Sequence, residues 1–174
     1  MFRELDTLKV FLEDPEGEFS VREVARKVGI SPATASKQLK GFAREGILKW
    51  RGERMLNLYR ANMEGDSYTD IKIYYNIRKI RETGLLDALN RFYLKPAVVL
   101  FGSAASGLDT GTSDFDLLVI SEKTEQFPGL DAFEKKIRRR LQVFAAKDIK
   151  DIKNEHLVNN MLNGIVLQGR IKWI

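Results

Sequence analysis

Phe2, Leu5, Leu8, Phe11 and Leu12 recur at helical spacing, so the chain opens with a helix from Phe2 to Glu13 that Pro15 and Gly17 end. After an extended Glu18-Phe19, Ser20 caps a short helix with Glu23 at the capping-box position, and Val21, Val24, Ala25 and Val28 form its buried side. Gly29 closes that helix, and Ser31-Pro32 starts the next, because serine accepts from free helix N–H groups and proline lacks the N–H that would go unbonded. The second helix runs to about Glu45. At about 100° per residue, Ala35, Leu39, Phe42 and Gly46 lie on one side, with Ala33, Lys37, Lys40 and Arg44 opposite. Ile47 to Trp50 and Met55 to Arg60 read as two strands, joined by the hairpin Arg51-Gly52-Glu53-Arg54.

Asn62 to Asp66, with Gly65, reads as a linker. Ser67 and Asp70 then open a helix whose apolar surface is Ile71, Tyr74, Tyr75, Ile77 and Ile80, ending at Gly84. Leu85, Leu86, Leu89 and Phe92 make a shorter helix before Lys95-Pro96. The apolar runs Val98 to Phe101 and Leu117 to Ile120 are too short for helices and read as buried strands. Leu130 to Arg140 is a further helix and Leu141 to Ala145 a third strand. Asn154 caps a last helix with Leu157, Val158, Met161 and Leu162 inside, and Ile165 to Leu167 with Ile171 to Ile174 suggest a closing hairpin.

Charge adds a division that hydropathy does not show. Residues 1 to 21 carry two basic and six acidic side chains, whereas 22 to 60 carry ten basic and three acidic, within a net charge of +5 over 174 residues. A basic stripe concentrated there points to a polyanionic partner. The chain has no cysteine, which excludes a disulfide framework and thiolate metal sites and fits a reducing cytoplasm. Its amphipathic, acidic start is unlike a signal peptide, and no apolar run approaches membrane-spanning length, so a protein with no membrane association is expected.

The candidate chemistry lies in the stretch VVLFGSAASGLDTGTSDFDLLVI, residues 98 to 120. Gly102-Ser103 ends the first strand of the pair, and ten residues later Asp114-Phe115-Asp116 begins the second. Strand alternation puts both carboxylates on one face and Phe115 in the core. Adjacent acids repel unless a cation lies between them, and hard oxygen ligands suit Mg²⁺, which completes its shell with water and substrate phosphates. The Gly-Ser turn can bring backbone N–H groups and a hydroxyl up to those phosphates. The single histidine, His156, has no partner pattern for a catalytic triad and is expected at the surface.

Two resemblances follow from these residues. The run VREVARKVGISPATASKQLKGFAREGILKW, followed by the arginine-tipped hairpin, resembles the winged helix-turn-helix domains of bacterial and archaeal transcriptional regulators. It implies a DNA-binding domain over residues 1–62, acting as a homodimer on double-stranded DNA. Thr34, Ser36, Lys37, Lys40 and Arg44 would enter the major groove or grip its phosphates, and Arg51 and Arg54 would reach the backbone or minor groove.

Gly-Ser, ten residues, then Asp-x-Asp resembles the minimal nucleotidyltransferases of the DNA polymerase beta superfamily. The resemblance implies an α+β chain: a nucleotidyltransferase-like domain at 97–174, with a small mixed sheet flanked by helices, preceded by linker and helices at 63–96. It also implies transfer of a nucleoside monophosphate from a nucleoside triphosphate to a hydroxyl, with Mg²⁺ held by Asp114 and Asp116 and the nucleotide by Gly102, Ser103 and Ser113. Relatives of this type act as antitoxins against HEPN-type toxins, and a fused DNA-binding module would make such a protein self-regulating. Two positions depart from the family pattern: Gln142 stands where a third carboxylate is expected, and Ser106 where an arginine is common. The alternative is therefore a transcriptional regulator whose impaired nucleotidyltransferase domain senses a nucleotide without turning it over.

Overall fold

A computed structural model describes residues 3–53 and 56–171. Its backbone divides into two compact units, residues 1–72 and 73–174, with the boundary inside one helix.

The first unit contains α1 (Arg3–Glu13), β1 (Phe19–Ser20), α2 (Val21–Val28), α3 (Pro32–Arg44), β2 (Leu48–Glu53), β3 (Leu56–Ala61) and the start of α4 (Asp66–Glu82). Local chemistry sets the starts of α2 and α3. The Ser20 hydroxyl accepts from the Glu23 backbone N–H at 3.4 Å while the Glu23 carboxylate accepts from the Ser20 N–H at 2.8 Å, a reciprocal capping box. Ser31 caps α3 by accepting from Thr34 N–H at 3.1 Å, with Pro32 at the first helical position. Leu8, Phe11, Leu12, Val24, Ala25, Ala35 and Leu39 are buried. A three-stranded antiparallel sheet in the order β1-β3-β2 completes the unit. The helix-turn-helix followed by a β2–β3 wing is the expected winged helix-turn-helix fold.

The wing differs from expectation at its tip. Strand pairing reaches Glu53 opposite Leu56, so Arg51, Gly52 and Glu53 belong to the ladder rather than to the turn. Arg54 lies outside the described residues, as does Phe2.

α4 also differs. It starts at Asp66, leaving Ser67 inside the helix, and its buried positions are Tyr68, Lys72, Asn76 and Ile80, four residues apart, while Tyr74 is exposed. Hydropathy ranks Lys72 and Asn76 as surface residues; specific bonds keep them inside. Within the first unit, the Tyr68 hydroxyl donates to Phe11 O at 3.1 Å and the Lys72 ammonium donates to Leu12 O, so both tie to carbonyls at the end of α1. Within the second, Asn76 donates to Asp109 at 2.6 Å and to Ala104 O at 3.0 Å.

The second unit continues with α5 (Leu85–Tyr93), β4 (Ala97–Phe101), the single turn α6 (Ser103–Ser106), β5 (Phe115–Ile120), α7 (Leu130–Ile137), β6 (Leu141–Ala146), α8 (Glu155–Leu162) and β7 (Ile165–Gln168). The strands form one sheet in the order β6-β5-β4-β7, with β4 antiparallel to both β5 and β7 and β5 parallel to β6. Its core has two sides because strand neighbours point to opposite faces. Val98, Leu100, Phe115, Leu117, Val119 and Leu141 pack with Leu85, Leu89 and Ile137 on one side. Val99, Phe101 and Leu118 pack with Ile149 and Met161 on the other.

Two further expectations change. α7 stops at Ile137, because Arg138 adopts a left-handed conformation at φ 57° and ends the helix three residues before β6. β7 pairs with β4, and the second strand of the expected closing hairpin falls on residues 172–174, which lie outside the described residues. Asn154 caps α8 and His156 is exposed, both as expected, but Leu162, expected inside, is exposed.

Candidate active site and candidate nucleic-acid interface

The carboxylates stand where β4, β5 and β6 come side by side. Phe101 pairs with Asp116 across β4 and β5, and Asp116 pairs with Gln142 across β5 and β6. Asp114 and Asp116 are two apart and share a face, and Phe115 between them is fully buried on the other. Gly102, Asp116 and Gln142 thus converge from three strands that are adjacent in space but spread over forty residues of sequence.

Gly102 has φ 70° and ψ −155°, a conformation essentially reserved for glycine, and a Cβ there would lie 2.6 Å from the Asp116 Oδ2. The turn therefore admits the Asp116 carboxylate only because no side chain is present. Gly102→Ala is expected to cost about 1–3 kcal/mol of stability from backbone strain, and to displace Asp116 as well. Urea unfolding measures the first effect. Cation-dependent nucleotide binding measures the second.

Burial first, and the neighbouring Asp114 charge second, push the Asp116 carboxyl above its ordinary pKa. No basic side chain pairs with either aspartate among the ion pairs of the described residues. One neutral group does bond there: Gln142 Nε2 donates to Asp114 Oδ2 at 2.7 Å. The amide relieves one oxygen of one carboxylate and adds no charge. Two repelling carboxylates with oxygen donors left free fit a hard divalent cation that takes further ligands from water and phosphate. Among the described residues no group of three acidic or histidine side chains could hold a metal by itself.

Ser103 and Ser113 lie on the loop elements that flank these strands. Ser103 begins α6 and is half-buried, while the Ser113 hydroxyl accepts from Thr110 N–H at 2.9 Å and so braces the loop before Asp114. Ser106, at the position where the family pattern has arginine, donates to Ser103 O at 3.1 Å.

In the first unit Lys37, Lys40 and Arg44 are exposed along α3, Ser36 is half-buried, and the exposed Thr34 hydroxyl bonds the Ser31 cap at 2.8 Å. Arg51 stands apart from this set. Its guanidinium donates to Glu18 at 2.7 and 3.1 Å and to Glu53 at 2.6 Å, and the Glu18 bond is the leading cause that raises its pKa. A guanidinium held between two carboxylates is not the free cation that the hairpin suggested. Sequence reading passed over Trp50, which is 61% exposed on β2 and, with Lys40, Arg44, Asn57 and Tyr59, lines a recess of about 380 Å³ beside α3. Strand period puts Trp50 on the same face as the buried Leu48, so alternation alone predicts it inside and gave no signal of its exposure.

Among the described residues no helix is long and apolar enough to cross a membrane. No curated protein matches the chain. Three solved structures similar to part of it share low identity. The homodimeric winged helix-turn-helix DNA-binding domain of a possible ArsR-family transcriptional regulator from Mycobacterium bovis is 22% identical, over 49% of this chain and 71% of its own, with a TM-score of 0.37. Sso10a-2, a DNA-binding protein from Sulfolobus solfataricus, is 22% identical over 51% and 90%, with a TM-score of 0.37. Reduced HlyU from Vibrio cholerae is 18% identical over 51% and 76%, with a TM-score of 0.33. The profile of the family described as nucleotidyltransferase domain matches residues 83–171, just over half of the chain and the whole of the sheet that carries Gly102, Asp114 and Asp116, and the chain belongs to that family.

Proposed function

We propose that this is a DNA-binding regulator whose nucleotidyltransferase site binds a nucleoside triphosphate with Mg²⁺ and transfers the nucleotidyl group slowly or not at all. The observation that carries the reading is the Gln142 amide on Asp114, which occupies with a neutral donor the place where the family resemblance expects a third acid. Asp114 and Asp116 would hold Mg²⁺, and Gly102 and Ser103 would border the phosphates. When bound, the cation would screen the phosphate charge and polarise the phosphoryl group under attack. Gln142 has no charge with which to take a proton from an attacking hydroxyl. A labelled-nucleotide assay tests the reading: retained binding with transfer near background supports it, and rapid wild-type transfer that Asp116→Asn abolishes would overturn its second half.

The DNA-binding half is supported by the winged-helix topology and by the exposed Lys37, Lys40 and Arg44 on α3. Thr34 and Ser36 would contact bases or phosphates from the same helix. Arg51 is reserved for Glu18 and Glu53 unless DNA displaces those acids. A homodimer on a palindromic duplex suits such a module. Binding is expected to weaken steeply with salt, with a log–log slope of about 0.9 per phosphate neutralised. Lys37→Ala should reduce that slope by about one contact per protomer. Fluorescence anisotropy over a salt series checks this; a flat salt response, or no binding at low salt, would remove DNA as the partner.

An antitoxin role against a HEPN-type toxin rests on the resemblance, and co-expression with a neighbouring small helical gene product tests it. In that setting the acceptor of any transferred nucleotide would be a hydroxyl of the partner protein.

A further inference from the structure

The parallel β5–β6 pair brings a second side chain to the carboxylate face. Phe115 N–H donates to Arg140 O at 2.9 Å and Phe115 pairs with Leu141, so Arg140 and Gln142 flank the residue opposite Phe115. Leu141 belongs to the apolar core on the far side of the sheet. Strand alternation then puts Arg140 with Gln142 on the side of Asp114 and Asp116, one step toward the open end. Arg140 is exposed and takes part in none of the ion pairs among the described residues. The left-handed Arg138 that ends α7 turns the chain into β6 just before it. Arg140 therefore differs from Lys135 and Lys136, which lie exposed on the helix itself.

We propose that Arg140 binds the polyphosphate tail of the nucleotide. The inference rests on the nucleotide-binding reading of Asp114 and Asp116 and assigns that site's third strand a new task. In place of a third anion, β6 offers a neutral amide to Asp114, and the residue that leads into it carries a guanidinium. The face then presents two carboxylates for a cation and, next to them, a fixed positive charge whose planar donor fork matches phosphate oxygens. The cation and Arg140 would hold different oxygens of one ligand. Selectivity follows: a triphosphate reaches from the cation to Arg140, and a monophosphate is too short to engage both.

Isothermal titration of the full chain with a nucleoside triphosphate, the matching monophosphate and inorganic tripolyphosphate, each with and without Mg²⁺, tests this. Arg140→Ala is expected to weaken triphosphate binding about tenfold to a hundredfold, as for loss of one charged hydrogen-bonding group, and to change monophosphate binding much less. Arg140→Lys should recover part of the loss, and Lys135→Ala should match the wild type. Tripolyphosphate that follows the triphosphate pattern locates the contact at the phosphates rather than the base. If Arg140→Ala binds triphosphate like the wild type while Asp116→Asn does not, the inference fails and the site reading stands. A loss of duplex DNA binding without loss of triphosphate binding in Arg140→Ala also overturns it. If no nucleotide binds under any condition, both fall.

Discussion

Gln142→Asp or Gln142→Glu is expected to raise nucleotidyl transfer on the order of 10²- to 10⁴-fold, the range that general-base assistance usually contributes. Gln142 is the β6 partner of Asp116, and its amide reaches Asp114 Oδ2 at 2.7 Å. An acid in that position would stand within reach of the metal-binding pair and could accept the proton of an attacking hydroxyl. The same change sets a third negative charge against two that already repel, so the cation-free variant should be less stable than wild type and regain stability as Mg²⁺ is added. Thermal melts across a Mg²⁺ series read that second effect without any turnover. Transfer that is already fast in wild type and indifferent to position 142 would mean another group supplies the base, and Asp148 and Asp151 are the next acids to replace.

Asp116→Asn is expected to abolish the stabilisation that Mg²⁺ and nucleoside triphosphate together confer, about 2.7 kcal/mol at a hundredfold excess over the dissociation constant. In the cation-free protein the substitution should act in the opposite direction. Burial and the Asp114 charge raise the Asp116 pKa, so the folded chain holds this proton more tightly than the unfolded chain does. Its contribution to stability therefore grows as pH falls through the raised value, a window lying above the ordinary 3.8, and is lost as pH rises through it. Asparagine removes that dependence and the cost of the buried charge at neutral pH. A variant more stable alone yet unresponsive to Mg²⁺ and nucleotide is the expected pair of results. Equal nucleotide binding in wild type and Asp116→Asn would move the site elsewhere.

How far the sequence carried depended on whether the relevant partners are local. The capping box at Ser20 and Glu23, the Ser31-Pro32 start and the strand before Gly102 are local patterns, and each was readable. Asp114 and Asp116 were readable as a pair because strand period alone aligns them. The ion pair of Arg51 was not legible because its partner Glu18 is 33 residues away, and charge counting cannot see such a pair. The burial of Lys72 and Asn76 was not legible for a related reason: it depends on the particular carbonyl or carboxylate each polar side chain meets. Helical spacing placed Arg140 at the end of a helix, and only the parallel register sets its backbone beside Phe115. The glycine-only backbone at Gly102 could not be read from composition, although a glycine before Ser103 pointed to the turn.

The parallel pairing of β5 with β6 also bears on how the chain tolerates changes in length. The crossover from Ile120 to Leu141 includes a polar loop that can gain or lose a residue while α7 stays packed through Ile137. A single-residue deletion inside β6 has no such outlet. It would reverse the strand's alternation and send Leu141 or Val143 toward the two aspartates while forcing the amide into the apolar side. Length variants that retain the site should therefore cluster between 121 and 129, with β6 unchanged.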